Sequence, residues 1–143
     1  MTKELDLTVS PNNLLESWTT LPEDIKVWNS AMADALEVQY KAENKLELTK
    51  AQVSINIRKN PQDYGFPKVT EDQIKALVIN DKGVQEAEDA LLAAKVEVKQ
   101  LQAIIESLDV KRSALKYLSE LTVTGYVGSR DSFPSTLKSN GGK

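Results

Sequence analysis

Residues 84–115 read VQEAEDALLAAKVEVKQLQAIIESLDVKRSAL, and the spacing of their apolar side chains decides the fold. Val84, Leu91, Val98, Ile105 and Arg112 recur every seven residues, and Ala87, Ala94, Leu101, Leu108 and Leu115 recur in step with them. Nine of these ten positions are apolar, which marks a helix with one side packed against another helix. Upstream, Ile74, Leu77 and Val78 carry the stripe back to Thr70-Glu71-Asp72-Gln73. That tetrad matches a capping box, in which the threonine hydroxyl accepts a first-turn amide and the glutamine reaches back. One helix is therefore expected from about residue 70 to about residue 121. Its weak point is Gly83, where a kink or break is left open, because glycine costs about 1 kcal/mol in a helix interior.

Working toward the N-terminus, Asn60-Pro61 ends an earlier helix, since proline disfavours helical geometry in the residue before it. Residues 61–67 then form a short connector. The earlier helix is expected to start near Pro22, a residue suited to a first helical position, with Glu23 and Asp24 complementing the dipole. Ile25, Trp28, Met32, Ala35, Ala42, Leu46 and Val53 make its stripe, interrupted by Gln39 and Thr49. Such a helix extends roughly 55 Å at 1.5 Å per residue.

The expected layout is an N-terminal arm over residues 1–20, a helical hairpin domain over 21–123 with helices at about 22–59 and 70–121, and a tail over 124–143. In the arm, Ser10-Pro11-Asn12-Asn13 signals a turn, and Leu14, Leu15 and Trp18 suit a short docking turn. The tail holds Gly125, Gly128, Pro134, Gly141 and Gly142 among serines, a flexible composition. The fold class is all-α: a long antiparallel, coiled-coil-like hairpin with flexible arms. A two-helix hairpin has a narrow core, too narrow to cover the Ala87/Ala94 seam, its flanking leucines and the Trp28–Met32 stripe within one subunit. Surplus apolar surface calls for partner helices, most simply further copies of the chain. Val84, Leu91, Val98, Leu101, Ile105, Leu108 and Leu115 are the candidate oligomerisation residues.

With neither cysteine nor histidine, the chain carries no disulfide, thiolate site, imidazole ligand or Ser-His-Asp triad. The start lacks the apolar core of a signal peptide, and no apolar run approaches the ~20 residues that span a bilayer, so a cytoplasmic protein is expected. The acid pairs Glu71/Asp72 and Glu88/Asp89 read as a capping turn and a solvated face. A thin hairpin offers no pocket to shift their pKa values. Gly125-Tyr126-Val127-Gly128 lacks the lysine and following helix of a phosphate-cradling loop. No enzyme activity, metal or cofactor is expected.

The formal charge is −3, but it is segregated. Residues 1–37 hold seven acids and two lysines, and residues 71–89 six acids and two lysines. Between them, Lys50, Arg58 and Lys59 occur in residues 50–60 with no acid, and Lys68 follows after Asp63. The bend of the hairpin is thus the basic end. Its cations are candidates for phosphate contact, and Tyr64 or Phe66 for stacking on an unpaired base. The spacing on its own is better met by cations placed to suit the dipole at a helix C-terminus, with Tyr64 and Phe66 packing the connector. A second cluster, Lys111, Arg112 and Lys116, lies near the end of the long helix, where Arg112 suits a pairing across an interface.

Residues from about 36 to 122 resemble the UvsY-type recombination mediators of tailed bacteriophages. The resembling stretches are Ala42 to Lys50, Val53-Ser54-Ile55-Asn56-Ile57-Arg58, Pro61 to Gly65 and Lys68-Val69-Thr70-Glu71, then Asp81, Ala94-Lys95 and Lys111-Arg112-Ser113-Ala114-Leu115. The resemblance implies a protein of the bacterial host cell that is not an enzyme. It implies a homo-oligomeric ring of about six or seven copies. It also implies binding of single-stranded DNA and loading of a RecA-like recombinase onto strands covered by single-strand binding protein. The family's Leu-Lys-Ala-Arg motif falls on Ile55, Asn56, Ile57 and Arg58, keeping the arginine and replacing the lysine by Asn56, with Lys59 next. The resemblance thus supports nucleic-acid contacts at Arg58, Lys59 and Asn56, to which the charge pattern and the connector add Lys50, Tyr64 and Lys68 as candidates. The alternative is a structural coiled-coil oligomerisation or adaptor module of a phage, with no nucleic-acid binding.

Overall fold

The computed structural model describes residues 4–125, and the expected tail beyond Gly125 lies outside them. Among the described residues the chain is all-helical: a 3-10 turn over Pro11–Asn13, α1 (Leu14–Lys59), a 3-10 turn over Pro61–Tyr64, α2 (Glu71–Asn80) and α3 (Lys82–Val123). The described residues form two compact units, one of residues 4–29 with 103–125 and the other Ser30–Gln102. No described helix is long and apolar enough to cross a membrane.

In the first unit, the start of α1 packs antiparallel to the end of α3. Leu21, Leu108 and Leu115 form a buried cluster against which Leu14, Ile25 and Trp28 pack. The Trp18 indole N–H donates to the Ser119 hydroxyl at 2.8 Å. Leu5 and Val9 also pack on this cluster, so the arm expected to be loose is laid on the helices over these residues. Lys111, only 5 % exposed, fixes it by donating from Nζ to the Asp6 carbonyl. Burying an ammonium is unfavourable unless it is paired or hydrogen-bonded, and the arm's backbone supplies that acceptor.

Helix α1 begins eight residues before Pro22, which stands inside it rather than at its start. A proline inside a helix removes one backbone donor and crowds the turn before it. The preceding turn is held by burial of Ser17 and Leu21 and by the Trp18 contact. Thr19 and Thr20 hydroxyls donate to the carbonyls of Leu15 and Ser17.

In the second unit, α1 from Ser30 onward runs antiparallel to α2 and the start of α3. Leu46, Val84 and Ala87 form its cluster, packed by Val53, Val78 and Leu91. Ile57 and Ile74 are also buried. The capping box forms: the Gln73 N–H donates to the Thr70 hydroxyl, and the Thr70 N–H donates to Gln73 Oε1 at 3.0 Å. The single long helix expected from residue 70 is two helices, broken at Asp81. Asp81 is extended, and its carboxylate accepts the Val84 N–H at 3.0 Å, capping α3. Gly83 belongs to that cap: a Cβ there would stand 3.1 Å from Asp81 Oδ2.

The heptad reading needs one correction. Ala87, Ala94, Leu101, Leu108 and Leu115 are all buried within the single chain, as is Val84. One chain does cover the seam that was expected to need partner helices. Leu91, Val98 and Ile105 are half-buried, as are Trp28 and Met32, and Arg112 is exposed beside Asp109 at 3.3 Å. Of the candidate oligomerisation residues, Val84, Leu101, Leu108 and Leu115 are therefore core of the subunit itself. The large apolar side chains left exposed on α3 are Leu92 and Val96 in one unit and Val110, Tyr117, Leu121 and Val123 in the other.

Candidate nucleic-acid interface

The connector of the second unit is shaped by backbone geometry. Asn60 leaves the helix, Pro61 opens a tight turn, and Gly65 closes it at φ 84, a left-handed conformation that favours glycine. The Gly65 N–H donates to the Gln62 carbonyl and the Phe66 N–H to that of Pro61. The loop is then tied at its base by a two-pronged ion pair. Arg58 Nη1 lies 2.8 Å from Glu71 Oε1, and Nη2 donates to Glu71 Oε2 at 3.0 Å. The fork matches the carboxylate in plane and spacing, which gives this exposed pair a defined geometry. The guanidinium's hydrogen bond, and then its charge, hold the Glu71 carboxyl below its ordinary range.

The loop closed by this pair holds Lys59, Tyr64 and Lys68, all exposed. Asp63 is its one acid besides Glu71. Phe66 is half-buried, leaving Tyr64 as the better placed ring for an outside partner. These residues meet because a helix end, a seven-residue connector and a capped helix start are folded onto each other.

The remaining candidates do not join them as a single patch. Lys50 lies nine residues before Lys59 on α1, about half a turn out of phase at roughly 100° per residue, so the two face opposite sides. Lys50 is half-buried and 3.7 Å from Glu47. Asn56 is exposed, and its carbonyl oxygen accepts the Gln52 amide at 3.1 Å. Arg58 meets the loop, but with its fork filled.

Glu71 is the residue that sequence reasoning missed here. It read as a capping-turn acid, and its thirteen-residue reach to Arg58 follows only from the connector's fold. Among the described residues, no group of three or more acids is arranged to hold a metal ion. Comparison with protein-family models, with curated proteins and with solved structures finds no match to this chain.

Proposed function

We propose that this chain is an oligomeric single-stranded-DNA-binding protein of the recombination-mediator kind, which helps load a RecA-like recombinase onto strands covered by single-strand binding protein. The observation that carries the reading is the cationic loop closed by Arg58 and Glu71, with Lys59, Lys68 and Tyr64 exposed on it. In this reading Lys59 and Lys68 contact phosphates, and Tyr64 stacks on a base. Arg58 exchanges the Glu71 carboxylate for a phosphate, a chemically similar partner for the same fork. One such patch on a chain of net charge −3 binds weakly. Several copies on one strand raise the effective affinity without any new contact. Exposed Val110 and Tyr117 on α3 supply apolar surface for gathering copies. The recombinase and the single-strand binding protein enter through the family resemblance.

The test is fluorescence anisotropy of a labelled oligo(dT) across a salt series, with light scattering to measure the mass of the protein. Binding that weakens linearly in log salt is expected, with the slope reduced by about 0.7 for each phosphate contact removed in Lys59→Ala and Lys68→Ala. No binding at low salt would refute the reading and leave the structural adaptor, for which the same exposed apolar residues of α3 would be the docking surface.

A further inference from the structure

Beyond the connector, the second unit carries a groove of about 560 Å³ along α1. Lys41, Asn44, Lys45, Leu48, Gln52 and Val53 line it. It is shallow and open to solvent, since all of its lining comes from the one helix. Its chemistry is mixed in a particular way. Leu48, 71 % exposed, and Val53 supply apolar surface, Asn44 and Gln52 supply amide donors and acceptors, and Lys41 and Lys45 supply positive charge.

We infer that this groove holds one nucleotide of a bound single strand, its phosphates at Lys45 and its base over Leu48 within reach of the Asn44 and Gln52 amides. The inference rests on the proposed DNA binding and extends it to a second site. Lys41, Lys45, Leu48, Gln52, Ile55 and Lys59 follow each other at spacings of four, three, four, three and four, which keeps them on one side of α1. All six are exposed, and they cover about 27 Å of helix at 1.5 Å per residue. The acids nearest in sequence point elsewhere or are occupied: Glu47 is about 100° off this side, and Glu37 is paired with Lys41. Lys59 belongs both to this side and to the connector loop. This side of α1 is therefore continuous with the connector loop through Lys59.

The two lysines differ. Lys41 already faces Glu37 one turn earlier, and that pairing holds the Glu37 carboxyl below its ordinary range. Among the described residues Lys45 has no ion pair, so it is the cation free to meet a phosphate. Gln52 donates one amide hydrogen to Asn56, which orients the Gln52 carbonyl and leaves its second hydrogen for a base edge.

The experiment titrates oligo(dT) into the isotopically labelled full chain and follows the side-chain amide signals of Asn44 and Gln52. Salt-dependent affinity is measured in parallel for Lys45→Ala, Lys45→Glu and Lys59→Ala. The expected result is movement of both amide signals on binding, and a slope lowered by about 0.7 in Lys45→Ala. Lys45 and Leu48 are exposed, so substitution there spares the core. Suppose Lys59→Ala weakens binding while both Lys45 variants leave affinity and slope unchanged. The groove assignment is then wrong, and the connector reading survives. Absence of binding by wild type and variants alike overturns both. Movement of the amide signals with polyglutamate and not with oligo(dT) overturns the assignment in favour of an acidic peptide.

Discussion

Leu108→Ala is expected to destabilise the subunit itself and not merely to part it from its neighbours. Leu108 is 1 % exposed and packs with Leu21 and Leu115, at 2 % and 0 %, under Leu5, Val9 and Trp28. Removing three carbons forfeits about 2.4 kcal/mol of transfer free energy at about 0.8 kcal/mol per methylene. A residual cavity adds a further term, for a usual total of about 2–5 kcal/mol. Leu5 and Val9 belong to an arm rather than to a helix, so the site closes partly, and about 3 kcal/mol is expected. For a chain of this size that lowers the melting temperature by about 12 °C, at roughly 4 °C per kcal/mol. Val110 stands two residues away on the same helix and is 69 % exposed. Val110→Ala is expected to change subunit stability by less than about 0.5 kcal/mol. Thermal unfolding followed by circular dichroism at a low and a high protein concentration separates the cases. The Leu108 loss persists at both concentrations. A Leu108→Ala protein that melts like wild type when dilute, or a Val110→Ala loss equal to it, would show that the seam belongs to an interface and that the packing described here is mistaken.

Four further outcomes follow. Glu71→Gln removes the carboxylate that a phosphate must displace from the Arg58 fork, so it is expected to strengthen oligo(dT) binding while the number of phosphate contacts, and with it the salt slope, stays about the same, read by anisotropy. Because the Glu71 carboxyl is held below its ordinary range, its pairing is intact above the unfolded value and is lost as pH falls through the folded one. Wild-type affinity for oligo(dT) should therefore gain an acid-limb rise that Glu71→Gln lacks. Thr70→Ala removes a hydroxyl that satisfies a first-turn amide and is expected to cost about 1 kcal/mol, measured by urea unfolding. Lys111→Met keeps the stem but removes the donor to the Asp6 carbonyl, so backbone hydrogen exchange over residues 5–9 should accelerate while α2 stays protected.

Periodicity made much of the fold legible. The repeat from Ala87 to Leu115 is buried at every step, because a seven-residue spacing is a direct record of which side of a helix is covered. The capping box at Thr70 was equally readable, being a local exchange of two hydrogen bonds. Two boundaries were not. Proline 22 suits a first helical position on local grounds, yet tertiary contacts of Ser17, Trp18 and Leu21 outweigh its effect and begin α1 at Leu14. Glycine 83 marked the weak point, but the break falls at Asp81, whose side chain offers α3 a better start than a continued helix offers. Which copies of an apolar stripe stay within the chain was also hidden, since the repeat has the same form in either case.

At the candidate site, the cluster of cations around residues 58–68 was visible as charge segregation, and the fold gathers Arg58, Lys59, Tyr64 and Lys68 at one loop. That Lys50 faces away follows from simple helical phase. That Arg58 is held by Glu71 did not follow, because the partner lies across a connector whose path depends on Pro61 and Gly65.

Single-strand binding at the connector is tested most directly by the salt dependence of oligo(dT) binding by wild type and by a Lys59→Ala/Lys68→Ala double variant. It predicts measurable low-salt affinity for wild type and a log-log slope lower by about 1.4 in the variant, at about 0.7 per lost phosphate contact. Equal slopes for the two proteins, or no affinity at all, would contradict it.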